Sequence, residues 1–442
     1  MLEPKPLTIL EHEITSEDIR VGIVLREDQK EVIHITVKTR LLCRGIDDQA
    51  CTSIEAILER GAYTVQAQAS LLTIENQFGE ILLTTPSLYI QPEQETFPHP
   101  SLMIAPIVAG RSFHWKKEIE ADFPGAFELT AVEGNVEIVN VLPFEQYLAC
   151  VVVSEMSSGT PIEFVKAQTI AARSWAKCFI NEKHPGATYQ LCNDDDCQRY
   201  HGVTFASEES LRASLDTAGQ YLVSRQGSII PAYYSKCCGG ITEELEDCLG
   251  FAAHGIASVT DGVTVTHIGA IEDWISRDFK GEHELFCGGS ADVLLANLGG
   301  VDDVGEYFRW THEESKTSIA SYLNERTTVT DALAVIALIP LRRGKSGRIH
   351  EMEFTYETTS GDVRTYVSPT QYEIRSLLHA SFLYSSAISI QEKSDSFVFQ
   401  GAGWGHGVGL CQIGGMFQAI AGRTYQDILT LYFPESTLKT LY

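Results

Sequence analysis

Three groups of residues have types and spacings that could do chemistry. The first is Glu155 with Lys166 and Arg173. Glu155 sits in VVVSEMSSG, at the edge of an apolar run. A carboxylic acid against an apolar wall has a raised pKa, because desolvation penalises the anion. Such a group can donate a proton near neutral pH. Lys166 and Arg173 are seven residues apart, so they project from one side of a helix, two turns separated. A cation beside the glutamate would lower its pKa or hold an anionic substrate group. The plain alternative is a helix-end carboxylate paired with a helix lysine.

The second group is GAGWGHGVGLCQIGG, residues 401–415, in which seven of fifteen are glycine. So much backbone freedom costs folding entropy and marks tight turns or close approach to a ligand. Neither the dinucleotide nor the phosphate-loop fingerprint is matched. Trp404 and His406 are the bulky groups among the glycines. Trp404 could stack on a sugar face and His406 could hydrogen-bond to it. A buried irregular connection, with His406 satisfied by backbone, fits the same residues.

The third group is cysteine. Six of eleven fall between 192 and 287: Cys192, Cys197, Cys237, Cys238, Cys248 and Cys287. With His184 and His201 as further donors, such a set can complete a tetrahedral zinc site. A disulfide, or free buried thiols, explains it equally well.

These groups need elements to position them. The first hundred residues read as mainly strand, at Arg20–Leu25, Glu31–Val37, Tyr63–Ala67 and Glu80–Leu83. QPEQETFPHP, residues 91–100, carries three prolines and reads as a linker. Strands resume at Phe127–Val132 and Val136–Val141, around the turn Glu133-Gly134-Asn135. Thr160-Pro161-Ile162-Glu163 has the pattern of a capping box with a proline at the first helical position. It opens the helix Ile162–Ile180, with Val165, Thr169, Ala172 and Ala176 as a buried stripe. Short helices are predicted at Ser207–Ala218, Ser368–His379, Met416–Ala421 and Thr424–Tyr432, and a strand at Ile349–Thr355. The class is α+β, a β-rich N-terminal region followed by a mixed α/β catalytic core interrupted by an insertion. The segments are 1–100, 101–249, 250–341 (the insertion) and 342–442.

Composition limits the partners. The 442 residues carry a net charge of -26, with 44% hydrophobic and 21% charged side chains. That suits a folded core and argues against nonspecific binding to nucleic acid or anionic membrane, which needs a basic footprint. No apolar stretch approaches the roughly 20 residues of a spanning helix. MLEPKPLTIL shows no leader pattern, which suits either a cytoplasmic protein or one whose leader has been removed.

Several blocks together resemble the stage II sporulation protein D and amidase-enhancer family. They are YLACVVVSEMSSGTPIEFVKAQTIAARSWA (147–176), SKCCGGITEE, RGKSGRI and GWGHGVGLCQIGGMFQAIAGRTYQDILTLYFPES, in that order over most of residues 110–442. The resemblance implies a peptidoglycan-active protein. Sporulation members are lytic transglycosylases that prefer glycan strands stripped of stem peptides, and other members enhance a partner amidase. It implies Glu155 as the catalytic acid, Lys166 and Arg173 as its supporting cations, and Gly405-His406-Gly407-Val408-Gly409, Trp404 and Gln412 as the sugar site. Ser235 opens the block that many members read as S-x-S-G-G-x-T-E; here Cys237-Cys238 interrupts it. Ser157 stands where proline is common, and Cys411 where serine is common before the glutamine. Some members bind zinc through Cys and His, so Cys192, Cys197 and Cys238 are zinc ligands or a disulfide set. No cofactor is required for the chemistry.

Ordinary glycoside hydrolysis uses two flanking carboxylates. The blocks supply one, and a lytic transglycosylase can work with one. The C6 hydroxyl of N-acetylmuramic acid attacks its own anomeric carbon, with a large proximity advantage, and a 1,6-anhydro sugar results. The competing readings are a noncatalytic glycan-binding enhancer of a cell-wall amidase and a zinc hydrolase built on the cysteines. A peptidoglycan substrate implies the cell envelope or periplasm.

Overall fold

In a computed structural model, the described residues are 18–47, 52–94, 97–111, 113–251, 253–262, 270–276, 285–298 and 306–442. The opening decapeptide, part of the expected linker and parts of the expected insertion lie outside them. The class is α+β. Residues from Asp18 to Pro143, joined by the short strand Leu191–Cys192, build two sheets. One has seven strands in the order Leu191–Cys192, Asp18–Val24, Asn135–Pro143, Ala126–Val132, Ser87–Pro92, Leu41–Asp47 and Thr52–Leu58. The other has six: Lys117–Phe123, Leu102–Ala109, Val32–Val37, Gly61–Gln68, Leu71–Asn76 and Ile81–Thr85. Alternating strand residues such as Val21, Ile35, Ile104, Phe127 and Ile138 meet in one core, as period-two patterning requires.

The expected boundary at residue 100 does not divide these sheets. Val32–Val37 pairs with Leu102–Ala109, and Ser87–Pro92 with Ala126–Val132. The first strand also pairs in parallel with Leu191–Cys192. The N-terminal strands are therefore built into the segment that carries the first cysteine pair.

Helix α1, Phe144–Met156, follows directly on the strand Asn135–Pro143. Eleven of its thirteen residues are buried, so its sequence lacks the polar face that would betray a helix. Its C-terminal turn delivers Glu155. Helix α2, Ile162–Phe179, packs on α1, and α3, Glu208–Asp216, closes the other side. The expected capping box at Thr160 does not form. The Thr160 hydroxyl donates to Ser157 O at 3.0 Å, and Glu163 accepts the Tyr425 N–H at 2.9 Å. A tertiary partner has taken the carboxylate that would have closed the box. The box at Thr424–Asp427 does form.

In the C-terminal part, Arg309–Ser315 pairs with Ser396–Ala402, and Ala332–Arg343 with Ile349–Thr358. Residues on both sides of the expected boundary at 341 thus share sheets. No helix among the described residues is long and apolar enough to cross a membrane.

The glycine loop returns to the centre through Leu410–Cys411, which pairs in parallel with Tyr234–Ser235. Gly409 has φ +73°, and a Cβ there would lie 2.1 Å from Tyr233 O. Both the left-handed backbone and the contact exclude a side chain. Gly409→Ala is expected to destabilise the protein by more than about 1–3 kcal/mol; urea unfolding would measure it, and an unchanged midpoint would contradict this account.

Candidate active site

Glu155 is half-buried, and of α1 only it and Gln146 are not buried. The Arg199 backbone N–H donates to its Oε1 at 3.3 Å. The Lys236 ammonium donates to Glu155 O at 2.9 Å and sits 5.9 Å from the centre of the Trp404 ring. Burial pushes the Glu155 carboxyl above its ordinary range. The Arg199 charge opposes that shift, Asp195 adds to it, and Lys236 opposes it again. Burial raises the Tyr234 phenol, and the charge of Glu155 raises it further. The result is a carboxyl held toward its acid form on a residue that is only partly buried, as a proton donor needs.

Lys236 comes from the segment after Tyr234–Ser235, and Trp404 from the glycine loop. The two segments are joined by the Cys237 and Trp404 backbones, with N···O distances of 3.0 and 2.8 Å. Trp404 is braced by Tyr307 and Tyr384, at ring distances of 4.7 and 5.6 Å. On the other side the Arg199 guanidinium binds Asp195 through two bonds of 3.0 and 3.2 Å and lies 5.3 Å from the Trp115 ring. Two half-buried tryptophans thus stand beside the two cations that approach Glu155.

The other blocks hold the glycine loop. Arg348 is buried and donates to Gly405 O at 3.1 Å and to Cys238 O at 3.3 Å. Glu243 accepts from Ser346 at 2.7 Å and bonds His350 at 3.1 Å, while its N–H reaches Gly407 O at 2.9 Å. Burial alone would raise the Glu243 carboxyl, but those bonds and the Arg348 charge hold it below its ordinary range. His406 accepts the Val408 N–H at 3.0 Å. Burial, with Arg348 and Arg375, lowers its imidazole to about 4, so it is neutral near pH 7. The Ser235 hydroxyl and the Gln412 amide nitrogen are buried without a hydrogen-bond partner among the described residues, both beside this loop.

The structure therefore brings Glu155, Ser235, Trp404 and His406 together along the segment Tyr233–Lys236, with Gln412 just behind. Lys166 and Arg173 are placed elsewhere. Their seven-residue spacing does put them on one side of α2, but that side faces α3. Lys166 binds Asp216 at 3.0 Å. Arg173 is fully buried and bidentate to Glu145, at 3.0 and 2.6 Å, and also donates to Ser214 O. Glu145 and Glu155 lie ten residues apart on α1, about 15 Å along the axis.

Asp195, Arg199 and Lys236 were not among the expected site residues. The run Asp194-Asp195-Asp196 between Cys192 and Cys197 was a visible signal for the first two. Nothing in the spacing pointed to Lys236. The cysteine expectation divides as well. Cys192 and Cys197 meet His184 with all three donor atoms within 4.8 Å, and His184 Nε2 lies 3.2 Å from Cys197 Sγ. Bonding from Cys197 pulls the Cys192 thiol down against burial. This donor set fits a metal ion. Cys238 belongs to a separate buried group. Arg111 ties the first loop to the N-terminal strands through Asp28, Asn193 and the Asp194 carboxylate, each within 2.7 Å.

Residues 132–223 match the family model described as stage II sporulation protein, and residues 290–409 match a domain of unknown function. Over 298 residues the chain is 27% identical to the protein named amidase enhancer of Bacillus subtilis. That match covers 65% of this chain but only 39% of the enhancer. Over 313 residues it is 25% identical to an uncharacterised protein of Brachyspira hyodysenteriae, covering 71% of each.

Proposed function

The chain belongs to the stage II sporulation protein D and amidase-enhancer family, and from that premise we propose that it is a lytic transglycosylase of peptidoglycan glycan strands. The observation that carries this is Glu155, an acid-leaning carboxyl at the solvent edge of a buried helix, between Arg199, Lys236 and Trp404. Glu155 protonates the oxygen leaving the anomeric carbon of N-acetylmuramic acid. The sugar's own C6 hydroxyl then attacks that carbon, and the glutamate anion takes its proton. The acid form is restored and the product is a 1,6-anhydro sugar. Asp195 is held by both its oxygens on Arg199, so it tunes the field rather than attacks. Trp404 and Trp115 offer faces for sugar rings. Ser235 and Gln412 are buried beside the glycine loop, so they support that loop from behind.

Metal at His184, Cys192 and Cys197 would fix the loop that presents Arg199; no step requires it. The substrate places the protein in the cell envelope. The alternative within the family is an enhancer that holds glycan at the same residues for a cell-wall amidase, a reading favoured by the name of the Bacillus relative. Incubating purified sacculi with the protein alone, without amidase, separates the two. Anhydro-terminated fragments support cleavage; their absence supports the enhancer.

Lys236 gives a second test. Its charge lowers the Glu155 pKa, so Lys236→Met must raise it. The alkaline limb of glycan cleavage is expected to move to higher pH. A raised KM with an unmoved limb would instead assign Lys236 to substrate binding.

A further inference from the structure

The second cysteine group shares no residue with the surroundings of Glu155. Cys238, Asp261, Cys287 and Cys411 are fully buried, and one donor atom from each falls within 4.8 Å of all the others. They come from three distant stretches: the turn after Tyr234–Ser235, the stretch that carries Asp261 and Cys287, and the start of the helix Gln412–Ile420. Cys238 Sγ and Cys287 Sγ are 3.7 Å apart. A disulfide needs about 2.05 Å. A tetrahedron with Zn–S bonds of about 2.3 Å has edges near 3.8 Å.

The hydrogen bonds suit thiolates. Cys411 Sγ accepts N–H bonds from Cys238 at 3.1 Å and Gly414 at 3.4 Å, and Cys238 Sγ accepts one from Gly240 at 3.4 Å. Such bonds stabilise sulfur as the anion. Asp261 is oriented as ligating carboxylates are, with its oxygens already bonded from outside. Tyr432 donates to Oδ1 at 2.5 Å and the Cys287 N–H to Oδ2 at 2.7 Å. Among the described residues, Asp261 has no ion-pair partner. Three sulfurs and a carboxylate gathered in an apolar interior form a donor set whose burial a bound cation would make favourable.

We propose that Cys238, Cys287, Cys411 and Asp261 hold a structural zinc ion, separate from the His184–Cys192–Cys197 set. Three thiolates with one carboxylate form a closed tetrahedral set of soft character, with no open position for substrate. The ion would join the Gly239-Gly240 turn, the Phe286–Gly288 turn and the end of the glycine loop. It would thereby hold the wall that carries Lys236 and Trp404.

The test uses full-length protein purified under reducing conditions without chelator. Zinc is counted in the double variant His184→Ala/Cys197→Ser, which removes the other set. One zinc per chain is expected to remain, and adding Cys411→Ser is expected to remove it. A zinc-free double variant, or zinc that survives Cys411→Ser, overturns the proposal. A variant-free readout covers misfolding. In the native wild-type chain, Cys287 and Cys411 are expected to alkylate together only after a chelator is added, as read by peptide mapping. Labelling that ignores the chelator, or a Cys238–Cys287 disulfide in the map, overturns it.

Discussion

Glu155→Gln is expected to abolish anhydro-sugar release from denuded glycan while leaving the folded protein intact. The amide keeps the shape and can still accept the Arg199 N–H, but it has no proton to give. Positioned acid–base groups typically contribute about 10²–10⁴-fold, so at least that loss is expected. The same variant carries a stability signature. Burial raises the folded-state pKa of Glu155 above its unfolded value. The stabilising share of that shift is fully present below the unfolded pKa. It is lost as pH rises through the folded pKa. At neutral pH the wild type therefore bears a cost that the glutamine variant does not. The variant's unfolding midpoint should equal or exceed that of the wild type at pH 7, and the difference should vanish in acid. Undiminished anhydro product from the variant would remove Glu155 from the chemistry. A lowered midpoint at pH 7 would show that the carboxylate is anchored as an ion pair instead.

The acid at position 155 was legible because its signal is local: an apolar run ending in a single carboxylate. The same run concealed the helix that carries it. A segment such as YLACVVV, buried on all sides, has no periodic polar face and cannot be told from a buried strand by periodicity. The strand Asp18–Val24 and the turn at 133–135 were legible from alternation and turn chemistry. Their partners were not, because pairing across more than a hundred residues leaves no local trace. Hence residues 1–100 look separate from the core in sequence, although their strands interleave with those of 101–143. The cations failed for the same reason. Lys166 and Arg173 are legible as charges on one helix face. The charges that reach Glu155, on Arg199 and Lys236, are 44 and 81 residues further on. Grouping Cys192, Cys197 and Cys238 by closeness in sequence merged two sets that the chain separates. The hydrogen-bond partner of Cys238, Cys411, is 173 residues away.

Arg173→Met is expected to cost stability rather than substrate binding. The guanidinium is 0% exposed and bidentate to Glu145, whose side chain is 9% exposed. Two charges in such a place balance one another, and removal of one leaves the other desolvated without a counter-charge. Breaking a buried pair in this way costs about 3–5 kcal/mol. Glu145 would keep the Ser214 and Tyr442 hydroxyls as donors, which offsets part of the loss of charge. The vacated donors matter too, since Arg173 also ties Ser214 O and Gln220 O, and so braces α3 and the strand Gln220–Ser224. Urea unfolding should show the loss, and the double variant Arg173→Met/Glu145→Leu should recover some of it, because the uncompensated carboxylate is gone. Specific activity per folded molecule should remain near that of the wild type, since the pair sits at the far end of α1 from Glu155. If Arg173 instead gripped the lactyl carboxylate, the outcome would invert, with stability kept and KM for glycan raised. The sign of that split decides whether Arg173 serves the substrate or the fold that holds the acid in place.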